Sequence, residues 1–600
     1  MTHTIPTRLA ALRRHMQQQG IAACLIPSSD PHLSEYLPPH WQGRRWLSGF
    51  HGSVGTLIVT ADFAGLWADS RYWVQAEQEL AGSGIALMKI QTVAQPLHLD
   101  WLAANLGAGD VLAVDGDVLA LASARALQDK LLAAGITLRS DDLLQAVWPD
   151  RSPLPGQPVY EHLPPYAATS RADKLAAVRD AMRQHGASHH FLSTLDDIAW
   201  LLNLRGSDVS YNPVFVSHLL LDGSGGTLFV GDGKIDTALA QRLAADGIAV
   251  AAYGQAKVAL AALAADSRLL LDPRRVTLGL REAIAANVAV VETINPSTLL
   301  KSRKSEAEAQ HVRDTMVQDG VALAEFFAWF EGAVNRETIT ELTITELTID
   351  EQITAARARR PGFVSPSFAT IAGFNANGAL PHYRATAAHH AAIEGDGLLL
   401  IDSGGQYLGG TTDITRVVAV GQPSAEQKRD FTLVLKGMIA LSRAQFPQGT
   451  LSPMLDALAR APIWQHGIDF GHGVGHGVGY FLNVHEGPQS ISRSQPEATM
   501  AMQPGMITSN EPGIYRPGQW GVRIENLLLN VAADSNAFGD FLKFETLTLC
   551  PIDLRCIEPA LLNQEETDWL NDYHRHVRER LAPQLDGVAL AWLQQHTRAL

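Results

Sequence analysis

Blocks of apolar and polar residues along the chain predict two successive α/β segments followed by a longer segment rich in strands. Residues 7–19 place apolar side chains at helical spacing, and residues 22–27 and 54–60 are short apolar runs typical of buried strands. Helix and strand patterns continue to alternate up to Trp148. Such alternation is typical of an α/β domain.

A cluster of prolines separates the first segment from the second. Its members are Pro149, Pro153, Pro155, Pro158, Pro164 and Pro165. Proline lacks an amide donor and disfavours helix at the preceding residue, so the cluster predicts an extended linker and a boundary near 155–165. The alternation then restarts, with helices predicted at 174–184 and 195–202 and strands at 190–194, 214–221 and 227–230. We therefore expect a second, related α/β domain.

A second boundary is marked by Asn295-Pro296-Ser297 and the basic run 301–304. The predicted domains are therefore 1–155, 156–304 and 305–600, and the predicted fold class is α/β (α+β). Two regions in the last two domains are expected to have no catalytic role. Residues 205–209 resemble a solvated turn, although a position facing a cleft is open, and residues 341–349 nearly repeat a five-residue unit.

The third segment begins with a predicted capping box between Ser305 and Glu308, which starts a long helix ending near Trp329. Strands are predicted from 367 to 420, with residues 411–420 as the returning arm of a hairpin. A helix at 425–445 follows. Two further strand pieces are expected to carry Glu511 and Glu525, and a helical extension is predicted from about 540 to the end.

The sequence GHGVGHGVG at residues 471–479 places a glycine at every second position and two histidines between them. Glycine loses much backbone entropy on folding and packs no side chain, so this pattern indicates close approach of another backbone. His476 stands where a dinucleotide-binding GxGxxG motif would need a glycine, which disfavours a nucleotide cradle. Metal ligation or proton transfer suits these histidines better. A glycine-rich turn with incidental histidines is the alternative.

Composition limits the class of protein. The 600 residues are 46 % apolar and 18 % charged, with 62 acidic and 47 basic residues and a net charge of −15. This balance predicts a soluble protein of several domains that does not bind nucleic acid. The three cysteines are too few and too scattered for a disulfide framework, which indicates a reducing compartment. Residues 1–20 lack the apolar core of a signal peptide, and no apolar run could span a membrane, so a cytoplasmic protein is expected.

Four carboxylates follow or interrupt apolar, strand-like runs. Asp402 ends the run 398–402, and Asp413 lies eleven residues later on the opposing arm of the predicted hairpin. Glu511 and Glu525 lie in strand-like settings further on. Burying four carboxylates together costs several kcal/mol per charge unless cations neutralise them. With His476, they predict a site for two divalent cations that activates water for hydrolysis, and the oxygen-rich set favours Mn²⁺, with Co²⁺ or Zn²⁺ as alternatives.

The order of these five residues resembles the ligand set of metallo-aminopeptidases with the pita-bread fold. The flanking sequences LIDSG (400–404), TDITR (412–416), NVHEGP (483–488) and NEPG (510–513) resemble that family too. Among its members, the three-domain Xaa-Pro aminopeptidases are the most similar, through IPSSDPH (26–32), SGFHGS (48–53) and IAWLLNLRGSD (198–208). The resemblance covers almost the whole chain. It implies two creatinase-like N-terminal α/β domains followed by a pita-bread catalytic domain.

The resemblance also implies roles for further residues. His382 matches a histidine that places substrate and stabilises the tetrahedral intermediate, and His472 one that lines the proline side of the scissile bond. His485 matches a contact to a substrate carbonyl. Arg523 matches an arginine near the bridging carboxylate, and Glu511 is the candidate for moving the proton. Phe368 and Tyr515 fall where the family has pocket aromatics, although on residue type a plain core role is equally open.

The implied activity is metal-dependent hydrolysis of the N-terminal residue from peptides with proline at the second position. The implied cofactors are two divalent cations per subunit, and the implied assembly is a homodimer. Three alternatives stay open at this point: a prolidase that cleaves Xaa-Pro dipeptides, a metal-free pita-bread protein that only binds partners, and a creatine-type amidinohydrolase. The intact ligand set disfavours the last two.

Overall fold

The computed structural model describes residues 4–91, 96–334 and 344–600. Contacts divide the chain into two compact units, one formed by residues 1–163 and 169–298 and the other by residues 164–168 and 299–600. The first unit contains two six-stranded sheets. Finer division at 155/156 and 304/305 stays a prediction.

The first sheet of this unit has the strand order β4-β3-β2-β1-β5-β6. Its strands are β1 (Ala23–Pro27), β2 (Thr56–Thr60), β3 (Ala64–Asp69), β4 (Ala86–Ile90), β5 (Val111–Val114) and β6 (Thr137–Ser140). The helices of the same segment are α1 (Ile5–Gln18), α2 (Gly43–Ser48), α3 (Trp73–Glu79), α4 (Leu97–Asn105) and α5 (Leu121–Ala133). Strand β1 pairs antiparallel with β2 and parallel with β5.

The second sheet repeats this topology. Its strands and the short pair beside it are β7 (Tyr160–Glu161), β8 (His189–Leu192), β9 (Leu204–Arg205), β10 (Ser217–Asp222), β11 (Gly226–Val230), β12 (Ile248–Ala252), β13 (Arg268–Leu271) and β14 (Ala289–Glu292). The helices are α6 (Arg171–Gln184), α7 (Leu195–Leu202), α8 (Thr237–Ala245), α9 (Ala256–Ala261), α10 (Leu278–Glu282) and α11 (Pro296–Lys301). The order β12-β11-β10-β8-β13-β14 and its parallel and antiparallel pairings match the first sheet. The prediction of a second, related α/β segment is confirmed.

The interpretation of residues 205–209 as a solvated turn is wrong. Arg205 is 2 % exposed and Asp208 is 7 % exposed. The carboxylate of Asp208 accepts hydrogen bonds from Lys234 Nζ and, at 2.7 Å, from the amide of Val216. A buried carboxylate needs such partners, and Lys234 is too distant in sequence for the local pattern to reveal it.

The second unit is built from long helices and several small sheets. Its helices are α12 (Glu306–Val334), α13 (Glu346–Ala358), α14 (Ala425–Ser442), α15 (Asp456–Trp464), α16 (Gln564–Leu581) and α17 (Gly587–His596). The first group of strands is β15 (Phe363–Pro366), β16 (Ile371–Phe374), β17 (Gly397–Ser403), β18 (Gly405–Tyr407), β19 (Gly410–Thr411) and β20 (Ile414–Val420). The later strands are β21 (Gln445–Pro447), β22 (Gly475–Gly477), β23 (Glu486–Ile491), β24 (Ile507–Asn510), β25 (Gly513–Arg516), β26 (Trp520–Arg523), β27 (Asn526–Ala532) and β28 (Phe541–Thr546).

Two of the small sheets position the chemistry. One has the order β16-β17-β20, and the other has the order β21-β28-β27-β24-β22-β23. The predicted capping box is confirmed, because the Ser305 amide donates to Glu308 Oε2 and the Glu308 amide donates to Ser305 Oγ. Within the described ranges, no helix has the length and apolar character needed to cross a membrane. All three cysteines are buried and free.

Several predicted bounds in this unit are wrong. Residues 541–546 form a strand of the six-stranded sheet, so the helices of the tail begin only at Gln564 and not near 540. Asp413 lies in a break between β19 and β20, Glu511 directly follows β24, and Glu525 lies between β26 and β27. These three carboxylates therefore lie at the ends of strands or between strands, and not within a regular strand. Of the near-repeat at 341–349, residues 341–343 lie outside the described residues.

Candidate metal centre

The first two carboxylates lie close together beside the antiparallel pair of β17 and β20. Asp402 in β17 is opposite Thr415 in β20. Asp413 directly precedes β20, and its carboxylate lies within 4.8 Å of that of Asp402. Both carboxylates are buried, with exposed fractions of 8 % and 4 %.

His476 comes from the short strand β22, between β23 and β24 in the six-stranded sheet. A Cβ atom at Gly475 would lie 1.9 Å from the carbonyl oxygen of Ser509, and one at Gly477 would lie 2.7 Å from that of Glu486. The alternating glycines therefore let neighbouring backbones approach on both sides of His476. This confirms the close backbone approach predicted for the glycine–histidine stretch.

Six side chains form three overlapping groups in which the potential ligand atoms of each group lie within 4.8 Å of one another. These groups are Asp402–Asp413–Glu525, His476–Glu511–Glu525 and Asp413–His476–His485. His476 Nε2 lies 3.5 Å from a carboxylate oxygen of Asp413 and 3.4 Å from one of Glu511. The structure thus brings together all five residues of the predicted ligand set.

Unpaired buried oxygens and the crowding of acidic groups indicate that these residues fit a cation. Among the described residues, Asp402 Oδ1 and Glu525 Oε1 are buried without a hydrogen-bond partner. Burial raises the pKa of Asp402 to about 6 against the lowering effect of Arg523, and burial raises the pKa of Glu511 to about 7. Burial and then Asp413 raise the pKa of Glu525 well above its ordinary value. Divalent cations would neutralise this concentration of charge and use the free oxygens.

A guanidinium and a phenol connect the carboxylates to the histidine at the start of the stretch. Arg523 Nη2 donates to Asp402 Oδ2 at 2.5 Å, and its Nη1 donates to the Tyr515 hydroxyl at 2.7 Å. The same hydroxyl lies 2.8 Å from His472 Nε2. Burial raises the pKa of Tyr515 to about 12, so this phenol keeps its proton at neutral pH.

Two small hydroxyls that the sequence reasoning missed orient the carboxylates. Thr415 Oγ1 donates to Glu525 Oε2 at 2.8 Å and accepts a bond from Arg523 Nε at 3.1 Å. Ser509 Oγ donates to Glu511 Oε1 at 3.2 Å and accepts the amide of His476 at 3.0 Å. Partners of this kind fix the orientation of metal ligands. For Thr415, its position two residues after Asp413 is a signal in the sequence. Ser509 has no comparable signal.

His485 lies beside the carboxylate cluster, because its potential ligand atom is within 4.8 Å of those of Asp413 and His476. It directly precedes β23, whose first residue, Glu486, is opposite Gly477 in β22. Their ring centroids are 4.2 Å apart at an interplanar angle of 88°. The structure therefore offers a second nitrogen beside Asp413, which sequence spacing did not reveal.

The remaining predicted residues lie on segments that adjoin the centre. His382 is half-buried in the turn after residues 375–379, and the neighbouring carbonyl of Pro381 lies 3.5 Å from Arg523 Nη2. Phe368 is 8 % exposed, and its neighbour Ser367 donates to the carbonyl of Thr412 at 2.8 Å. Both segments thus contact neighbours of the carboxylate cluster, namely Arg523, which binds Asp402, and Thr412, which precedes Asp413.

Comparison with known proteins defines the class. A model described as metallopeptidase family M24 matches residues 310–531, and one described as the C-terminal region of that peptidase matches residues 540–600. Two models described as creatinase/prolidase N-terminal domain match residues 8–143 and 150–308. These matches confirm the predicted fold of creatinase-like domains followed by a pita-bread domain. The chain is a metal-dependent hydrolase by class.

Full-length relatives define the family. The chain is 38 % identical over 615 residues to a probable Xaa-Pro aminopeptidase P of Laccaria bicolor, covering all of this chain and 94 % of the relative. It is 36 % identical to aminopeptidase P2 of Arabidopsis thaliana, covering 99 % and 89 %. The chain belongs to the family of Xaa-Pro aminopeptidases.

A solved structure agrees with this assignment. The X-prolyl aminopeptidase of Caenorhabditis elegans, described as a cytosolic enzyme with a di-nuclear active site, matches with a TM-score of 0.93 and 32 % identity. The match covers all of both chains. The resemblance stated from sequence motifs is thereby confirmed.

Proposed function

We propose that the protein removes the N-terminal residue from peptides whose second residue is proline. The observation that carries this proposal is the convergence of four carboxylates and His476 in one largely buried cluster. The full-length relatives of the chain are named Xaa-Pro aminopeptidases. Asp402, Asp413, His476, Glu511 and Glu525 are the proposed ligands of two divalent cations. Their oxygen-rich donor set favours Mn²⁺, with Zn²⁺ or Co²⁺ as alternatives.

When bound, such cations supply Lewis acidity, which lowers the pKa of a water molecule and polarises a peptide carbonyl. Glu511 is the proposed carrier of the proton from water to the departing proline nitrogen. Its position beside His476 and Ser509 Oγ at the cluster supports this proposal. Arg523 holds Asp402 and the Tyr515 hydroxyl in fixed positions throughout.

The histidines and aromatics are proposed to bind the peptide. His382 donates to the developing oxyanion, and His485 contacts a substrate carbonyl. His472 and Tyr515 line the proline side, and Phe368 faces the N-terminal residue. The bond before proline is a tertiary amide without N–H, and the φ angle of proline is fixed near −65°, so a pocket shaped for this ring can select it. The hydrogen bond between His472 and Tyr515 makes that wall rigid.

Peptide length distinguishes this activity from a prolidase. We expect the Mn²⁺-loaded protein to release arginine from Arg-Pro-Pro with a kcat/KM well above that for the dipeptide Gly-Pro, because nothing in the proposed mechanism requires a free carboxylate after proline. Arg-Ala-Ala is the control peptide and should be cleaved poorly. Liquid chromatography of the products measures all three rates. Cleavage of Gly-Pro alone would identify a prolidase, and no cleavage of any peptide would favour a binding protein.

We further propose a cytoplasmic homodimer. The family resemblance supports the dimer, while the free cysteines and the described location of the Caenorhabditis elegans enzyme support the compartment. Light scattering of the purified protein should give twice the mass of one chain. The mass of a single chain would contradict the dimer.

A further inference from the structure

Glu346, the first residue of α13, is a completely buried carboxylate that accepts hydrogen bonds from four residues. The donors are the amide of Phe374 at 2.7 Å, Asn377 Nδ2 at 3.0 Å to both oxygens, the Tyr383 hydroxyl at 2.7 Å and the amide of Ala391 at 2.7 Å. A carboxylate this deeply buried is costly unless its oxygens are satisfied. Glu346 therefore holds these four donors in one arrangement.

The four donors enclose the turn that carries His382. Phe374 and Asn377 precede it, Tyr383 is its direct neighbour, and Ala391 follows it. Residues 380–396 belong to no named helix or strand and are held by a few backbone hydrogen bonds, such as those between Thr386 and His389. The hydrogen bonds to the Glu346 side chain add to this limited support. A Cβ atom at Gly521 would lie 1.7 Å from the carbonyl oxygen of Gly378, so the start of the same segment also packs tightly against β26, which ends at Arg523.

We propose that Glu346 is a positioning residue for the reaction, which fixes His382 through Tyr383 and the segment 374–391. This inference rests on the proposed function, because it gives His382 its role at the oxyanion. Glu346 itself touches no reacting atom. Glu346 lies in the near-repeat at residues 341–349, for which the sequence predicted no catalytic role. The proposal gives this part of the near-repeat a role in the reaction.

The contribution of His382 to the rate depends on its distance from the developing oxyanion. A donor must lie about 2.7–3.1 Å from the place where negative charge develops, so small displacements remove its contribution to the transition state. Loss of the support that Glu346 gives next to His382 is therefore expected to lower kcat more than substrate affinity. A residue that only stabilises the fold would instead lower the free energy of unfolding without a specific loss of kcat.

The substitution Glu346→Gln tests this role. It keeps the size of the side chain but turns one oxygen into an NH₂ group that faces hydrogen-bond donors. We expect kcat on Arg-Pro-Pro to fall by about 10–100-fold, as for other residues that orient a functional group, with KM and metal content close to those of the unchanged protein. Glu346→Asp, which retains a carboxylate, should recover part of the loss. Hydrogen exchange at residues 380–391 should rise in Glu346→Gln.

Glu566→Gln is the matched control. Glu566 is likewise a buried carboxylate in the first turn of a helix, 9 % exposed. It lies in α16 and accepts bonds from the amide of Asn563 and from Lys436 Nζ. This variant should lower the unfolding temperature without lowering kcat at the assay temperature. If Glu346→Gln does not fold, Tyr383→Phe provides the same test, because it removes one of the hydrogen bonds to Glu346. We expect it to lower kcat as well.

A double-mutant cycle with His382→Ala decides the mechanism. If Glu346 acts through His382, Glu346→Gln should have almost no further effect on kcat in the His382→Ala protein. An equal loss of kcat in both backgrounds, or an unchanged kcat in Glu346→Gln and Tyr383→Phe, would overturn the inference. A His382→Ala protein with full activity would instead show that the proposed role of His382 is wrong.

Discussion

A His476→Ala protein is expected to bind fewer than two metal ions per chain and to lose more than about 100-fold in activity. Loss of an outer partner of a metal ligand already costs about 10–100-fold, and His476 belongs to two of the three groups of potential ligand atoms. No other residue can take its place from β22, because Gly475 and Gly477 on either side lie against neighbouring backbones.

Elemental analysis after gel filtration, together with the rate on Arg-Pro-Pro, measures both effects. His466→Ala is the control, since this histidine is exposed and lies just beyond α15. It should keep two metal ions and full activity. Full metal content and activity in His476→Ala would exclude this histidine from the ligand set and make His485 the nitrogen donor beside Asp413.

Removal of the metals is expected to make stability depend strongly on pH. In the metal-free chain, burial raises the pKa of Asp402 to about 6 and that of Glu511 to about 7. The unfolded chain releases the same protons near pH 4. The folded state therefore binds more protons than the unfolded state between about pH 4 and 7, and the free energy of unfolding falls as the pH rises through this range.

A few buried carboxyls are enough to change the free energy of unfolding substantially. A buried carboxyl whose pKa is about 6 instead of about 4 lowers the free energy of unfolding by about 3 kcal/mol once the pH exceeds both values. We expect the unfolding midpoint of protein dialysed against EDTA to drop between pH 5 and 7, and Mn²⁺ to restore it at pH 7. Glu525→Gln should weaken the pH dependence of the metal-free protein. A metal-free protein equally stable at both pH values would contradict the shared burial of these carboxylates.

The elements that sequence predicted best are those whose pattern is local. The helix at residues 195–202 and the apolar run that ends at Asp402 follow directly from periodicity. The chemistry of four carboxylates and one imidazole also indicates a metal site without any knowledge of distances. The structure adds that Asp413 and Glu525 lie in breaks between strands, which no alternation pattern distinguishes from strand residues.

The features that sequence missed all depend on partners distant in the chain. Thr415 and Ser509 are ordinary strand residues until Glu525 and Glu511 are placed beside them. Asp208 looked solvated because its partner Lys234 cannot be identified from spacing. Glu346 looked like part of a chance duplication because its donors come from residues 374–391. Tertiary contacts decide which polar groups are buried, and local propensity does not predict these contacts.

The close contact between Gly475 and Ser509 joins parts of the chain that lie far apart in sequence. Strand β22 cannot complete its sheet before β24 is present, and Glu525 follows later still. No fragment that ends before residue 525 contains the full donor set. We therefore expect binding of two cations to require a chain in which β22 has paired with β24 and Glu525 is in place, so metal content should report completed folding in preparations of this protein.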